Sequence, residues 1–174
     1  MLLFRGVGGK TQLPTGPLRE KLGEAGFANV ATYINSGNAI LSTALARATM
    51  LEQVASICST EFGFEKAIYA RTLPEWDALI AANPFADAVE PGNLLHAAVL
   101  EREPDEGAVE ALRTFAVDGE RIAVVGQVAY LHTPNGFGRS KLAEKFDKGL
   151  GVPNTARNWN TVLKLRQLAE RASL

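Results

Sequence analysis

Cysteine is nearly absent from this chain. Its 174 residues include one, Cys58, which excludes an intrachain disulfide and a cysteine-built zinc cluster and suits a reducing compartment. Histidine is almost as scarce, with His96 and His132 alone; without closely spaced acidic partners in the sequence, no metal site built from side chains is expected. No stretch approaches the ~18 consecutive apolar residues of a membrane span, and the N-terminus lacks a basic region followed by an apolar one. The expectation is a cytoplasmic protein with no membrane association. Neither sign of charge is in excess: 18 Lys and Arg stand against 19 Asp and Glu, a net charge of −1. General attraction to polyanions is therefore disfavoured, and any recognition of nucleic acid has to rest on a local cationic patch.

What is present is an ordinary globular composition, 47% hydrophobic and 21% charged, in a chain long enough to bury most of its apolar surface unaided. A short apolar strand over 2–5 leads through a glycine-rich loop to a helix over 15–25, opened by Pro17 and stopped by Gly26. Strands over 30–34 and 38–42 flank Asn35-Ser36-Gly37, a tight-turn composition that predicts a hairpin. A helix over 46–62 stops at Gly63, and a strand over 65–71 follows. Leu51, Val54, Cys58 and Phe62 share one face of that helix, which makes Cys58 a small core residue.

The order βαββαβ is that of a ferredoxin-like unit, an antiparallel sheet with both helices on one face. The remainder partly echoes it. A helix from Pro74 to the Asn83-Pro84 stop precedes a strand over 94–100, a helix over 104–115, and a hairpin over 121–132 turning near Gly126. Two more helices, over 140–148 and 161–171, complete the chain. The predicted fold is α+β: two packed ferredoxin-like halves with antiparallel sheets, residues 1–72 and 73–174, the second carrying extra C-terminal helices.

Three short runs combine cations with residues that let the backbone approach a partner: Arg5-Gly6-Val7-Gly8-Gly9-Lys10, Gly136-Phe137-Gly138-Arg139-Ser140-Lys141, and Arg157-Asn158-Trp159-Asn160. The first is not a Walker loop. Gly9-Lys10-Thr11 fits the tail of that motif, but its first glycine falls on Phe4, and Pro14 and Pro17 prevent a helix from opening directly after Lys10. A dinucleotide fingerprint fails as well, because its third glycine falls on Thr11. In the second run Ser140 caps a helix whose first turn is flanked by Arg139 and Lys141, cations that oppose the helix dipole unless an anion sits there. In the third, Asn158 or Asn160 caps the last helix beside Arg157; Trp159 serves either as a stacking face or as a plug at the interface between the halves, with Arg157 then paired to an acidic neighbour.

Arg5-Gly6 through Gly9-Lys10, Tyr33-Ile34-Asn35-Ser36-Gly37-Asn38, Asn83-Pro84-Phe85, Gly138-Arg139-Ser140-Lys141-Leu142 and Ala156-Arg157-Asn158-Trp159-Asn160-Thr161-Val162 together resemble the domain-of-unknown-function family 1697 along nearly the whole chain. The first loop is about two residues shorter than is usual in that family, and Asn35 stands where glutamine is commoner. The resemblance implies an α/β fold of two similar halves and brings no established activity.

Catalytic candidates are few. His96 lies in an apolar strand and reads as a satisfied core or edge histidine, whereas His132 ends a strand before a loop and is the acid-base candidate. Neither Ser36 nor Ser140 sits in a nucleophile elbow. The leading expectation is a binding protein in which Arg5, Lys10, Asn38, Arg139, Ser140, Lys141, Arg157, Asn158, Trp159 and Asn160 hold a phosphate-bearing small molecule or a nucleic-acid segment, with no cofactor. The alternatives are an enzyme acting on an anionic substrate with His132 as acid-base group, and a scaffold without a ligand.

Overall fold

Leu2, Leu3 and Phe4 are consecutive, apolar and buried, the pattern of a strand covered on both faces. The computed structural model, which describes residues 1–8 and 11–173, makes them β1 (Leu2–Phe4). α1 (Thr15–Glu24) buries Leu18 and Leu22, and β2 (Ala28–Thr32) and β3 (Asn38–Ser42) form the expected hairpin. α2 (Arg47–Phe62) buries Met50, Val54 and Cys58, four residues apart and so on one face. It stops where Gly63 turns left-handed at φ 61° and the Phe64 N–H reaches back to the Cys58 carbonyl at 3.0 Å. Burial pushes the Cys58 thiol up to about 12, so it stays protonated and acts as a core residue. β4 (Ile68–Ala70) completes a sheet of order β2-β3-β1-β4 in which every pair is antiparallel.

The rest of the chain repeats the plan. After α3 (Leu73–Ala81) come β5 (Leu95–Leu100), α4 (Glu106–Arg113), β6 (Arg121–Val125), β7 (Val128–His132), α5 (Lys141–Leu150), β8 (Asn154–Asn158) and α6 (Trp159–Ala172). The second sheet is antiparallel with order β6-β7-β5-β8. Counted from its own first strand, each sheet runs second, third, first, fourth, so the fold is α+β with two sheets of identical topology. β8 corrects the sequence reading, which has no strand between the last two helices. Its sequence, Asn-Thr-Ala-Arg-Asn, has no apolar alternation; it is a strand because β5 supplies a complete ladder from His96 to Leu100.

The chain forms two compact units, Met1–Trp76 with Lys164–Leu174, and Asp77–Leu163, and passes between them within α3 and within α6. In the first, Leu2, Phe4, Leu18, Leu22, Val54 and Phe64 form the core. In the second the core is built from Ala98, Leu100, Leu112, Leu131, Leu142 and Phe146. No helix among the described residues is long and apolar enough to cross a membrane.

Candidate functional site

The first glycine-rich run belongs to the first unit, and a residue absent from the sequence reading governs it. Gly8 and Thr11 exchange backbone hydrogen bonds at 2.7 and 3.0 Å, and the Lys66 ammonium donates to Gly6 O at 2.9 Å and to Thr11 Oγ1 at 3.0 Å. The loop is thus pinned by a cation of the protein's own. Lys10 lies outside the described residues. Arg5 is half-buried, and its N–H donates to Ala67 O at 3.0 Å. Asn38 is buried, and its amide donates to Tyr33 O at 3.2 Å and Ser36 Oγ at 3.0 Å, which ties the β2–β3 loop to its own base.

The remaining candidates lie in the second unit, most of them at one end of its sheet. The register pairs Leu95 with His132, His96 with Asn158 and Arg121 with His132, so β5 and β6 begin where β7 and β8 end. α6 starts directly after β8, and the 133–140 segment brings the Phe137 ring to 4.2 Å from the His96 ring before α5 starts. Ser140 is buried and caps α5, its Oγ accepting the Ala143 N–H at 3.0 Å. Asn158, rather than Asn160, caps α6, accepting the Thr161 N–H at 2.9 Å. Replacing Ser140 with alanine is expected to cost about 1 kcal/mol, visible as a lower urea midpoint at constant slope.

His96 is adjacent to a member of each of the second and third runs. It stacks on Phe137 of the second run and faces Asn158 of the third. Its Nδ1 is buried with no hydrogen-bond partner among the described residues, which corrects the expectation of a satisfied core histidine. Burial alone pulls its pKa down to about 4, so the ring is neutral near pH 7.

The other members are distributed as follows. Arg139 and Lys141 are exposed beside the α5 cap, and neither forms an ion pair among the described residues, although the Lys141 charge helps hold Glu144 below the usual carboxylate range. Trp159 is 3% exposed and its backbone N–H donates to Gly92 O at 2.9 Å, so its ring is packed rather than presented as a stacking face. Asn160 is exposed and lies so close to Gly92 that a β-carbon there would sit 2.4 Å from its Oδ1. Arg157 pairs with Ala97 in the register, which sends it to the sheet face opposite Asn158 and His96. It is buried, donates to Thr155 Oγ1 and Ala156 O at 2.8 Å each, and is pulled down to about 10 by that burial.

His132 has a different set of neighbours. Arg121 donates to its Nδ1 from Nε at 3.4 Å and from Nη2 at 3.2 Å, and holds Asp87 through two bonds of 3.1 and 2.9 Å. The guanidinium also lies 4.6 Å over the Phe85 ring. Since arginine only donates, the neutral His132 carries its proton on Nε2. Burial first and the Arg121 charge second lower its pKa, against a smaller opposing pull from Asp87. One signal for the Arg121–His132 pair was present in the sequence: each stands five residues from the two-residue Gly126-Gln127 turn.

The architecture has a counterpart among solved structures. The conserved bacterial protein SP0830 from Streptococcus pneumoniae superposes with a TM-score of 0.69 over 97% of this chain and 96% of its own, at 22% identity. At that identity the likeness is one of fold. Comparison with curated proteins finds no match. Over residues 1–130, three quarters of the chain, the sequence matches the family described as "Protein of unknown function (DUF1697)", and the chain belongs to that family.

Proposed function

We propose that the second unit binds a small phosphate-bearing anion at the end of its sheet where α5 and α6 begin, with His96, Arg139, Lys141 and the capped first turns of both helices as the binding groups. The observation that carries this reading is the buried, unpartnered Nδ1 of His96, adjacent to a member of each of the two runs that cap those helices. A buried polar atom without a partner costs about 1–3 kcal/mol, a cost that an oxygen of a bound anion removes by accepting from a protonated Nδ1. Two further features support it. Arg139 and Lys141 oppose the α5 dipole without an acidic ion-pair partner among the described residues, an arrangement that an anion reverses from unfavourable to favourable. A net charge of −1 favours a small ligand over a nucleic-acid segment, which needs a wider cationic surface. Arg5 and Asn38 belong to the first unit and are not among the binding groups proposed.

The test is an NMR titration of the His96 ring with inorganic phosphate at constant ionic strength. A saturable shift with a dissociation constant of about 1 mM or tighter is expected, weakened at least tenfold in the Arg139→Ala/Lys141→Ala double variant. A ring that does not respond at tens of millimolar phosphate, or equal affinity in the double variant, removes the proposal.

A further inference from the structure

β6 is an edge strand, and it lacks the protections that the other edges of the two sheets carry. β2 is broken by an irregularity between Ala28 and Ala31, and the Asn29 side chain is tied to Ala172 O at 2.9 Å. β4 is three residues long, and β8 is largely buried. β6, by contrast, pairs with β7 without interruption from Arg121 to Val125, has no proline or lysine, and has one charged residue, Arg121, which is engaged by Asp87 and His132.

The surroundings of this edge are apolar and acidic. A groove of about 270 Å³ lies beside it, with Val109 and Val124 among its walls and Glu103, Glu106 and Glu110 on its rim; its one cation, Arg113, is paired with Glu110. Phe115 and Val117, in the segment that leads into β6, and Val125, its last residue, are 40%, 53% and 44% exposed. Residues 101–120 hold seven Asp and Glu against two Arg, a net charge of −5 in a chain whose total is −1. Two copies meeting edge to edge along β6 would bring these acidic rims together, so the charge disfavours a second copy of this chain.

We infer that the β6 edge and its groove take an extended segment of a partner protein whose groove-facing side chains, every second residue, alternate between basic and apolar. The segment adds a fifth strand to the sheet through backbone hydrogen bonds. Every second side chain of the added strand faces the groove, where an apolar one covers Val109 and Val124 and the cations on either side of it, two residues away, meet Glu103, Glu106 and Glu110. This inference is independent of the anion site at the end of the sheet.

The probe is a fluorescent, blocked octapeptide Lys-Thr-Val-Thr-Lys-Thr-Val-Thr, which shows Lys and Val on one face, with the peptide carrying Glu in place of each Lys as control. Fluorescence anisotropy is expected to rise saturably with the Lys peptide and not with the Glu peptide, and hydrogen exchange of the β6 amides is expected to slow when the Lys peptide binds. Glu106→Lys/Glu110→Lys, a surface change that leaves the core intact, is expected to weaken the Lys peptide at least tenfold and to favour the Glu peptide. The inference fails if both peptides bind alike, if neither binds, or if β6 exchange is unaffected. It also fails if light scattering finds a dimer in which β6 is protected without peptide, since the edge then belongs to a second copy.

Discussion

Replacing Gly37 with alanine is expected to destabilise the first unit by about 3 kcal/mol, the sum of a backbone and a packing effect. Gly37 closes the β2–β3 loop at φ 77°, a conformation that a side chain opposes by about 1–2 kcal/mol. A β-carbon there would also lie 2.6 Å from Val7 Cγ2, 2.9 Å from Phe4 Cβ and 3.0 Å from Phe4 O. Val7 can rotate away, but Phe4 is fully buried in the middle of the sheet, its N–H bonded to Gly37 O at 2.9 Å and its ring edge-on to Phe64 with centroids 5.8 Å apart. Relief therefore requires movement of β1 itself, worth another 1–3 kcal/mol or so. Gly63 in the same unit is the matched control, with φ 61° and nothing within 4 Å of an added β-carbon. Its alanine variant is expected to lose about 1 kcal/mol. Urea unfolding of the two variants separates the terms, and a Gly37→Ala protein no less stable than Gly63→Ala would mean that the close approach to Phe4 has no energetic weight.

The second large effect is a pH dependence centred on His96. Its pKa in the folded protein, about 4, lies below the ordinary 6.5, so the unfolded chain takes up a proton more readily than the folded one. The resulting stability is fully present above pH 6.5 and is lost as pH falls from 6.5 toward 4, in total about 3 kcal/mol. His132 titrates with the same sign, and carboxylates add their own acid dependence, so the informative quantity is the difference between wild type and His96→Phe, which keeps a ring on Phe137 and removes the titration. The wild type is expected to lose about 3 kcal/mol more than the variant between pH 6.5 and 4. Parallel pH profiles, or a His96 pKa near 6.5 by NMR, would contradict the buried neutral ring. Phosphate bound beside the ring favours its protonated form, so the anion proposed above is expected to raise this pKa and narrow the pH window.

Much of the fold was legible because it is written in local chemistry. Gly63 ends α2 where the left-handed stop was expected, Ser140 caps α5, and the Asn35-Ser36-Gly37 and Gly126 turns join the strands on either side of them. Each of these depends on a few neighbouring residues and the conformations they favour. The βαββαβ order of the first unit follows from such signals in sequence. β8 escaped because its polar residues have no preference for a strand until β5 offers a partner.

The site was legible only in part, for the same reason. Arg139, Ser140, Lys141, Asn158 and Asn160 could be named from composition and capping chemistry, but their companions are chosen by register and packing. His96 is opposite Asn158 because β5 and β8 pair, and under Phe137 because the loop after β7 folds back over the sheet end. Arg157 is adjacent in sequence to Asn158 yet belongs to the other face. Lys66 reaches Gly6 and Thr11 from about 60 residues away. The sequence by itself determined the turns, the caps, the apolar faces and the scarcity of histidine and cysteine, since these are properties of residues and their neighbours. Tertiary structure alone decided which polar groups meet, which stay unpartnered and which strand edge remains open, since those depend on positions far apart in the chain being brought together.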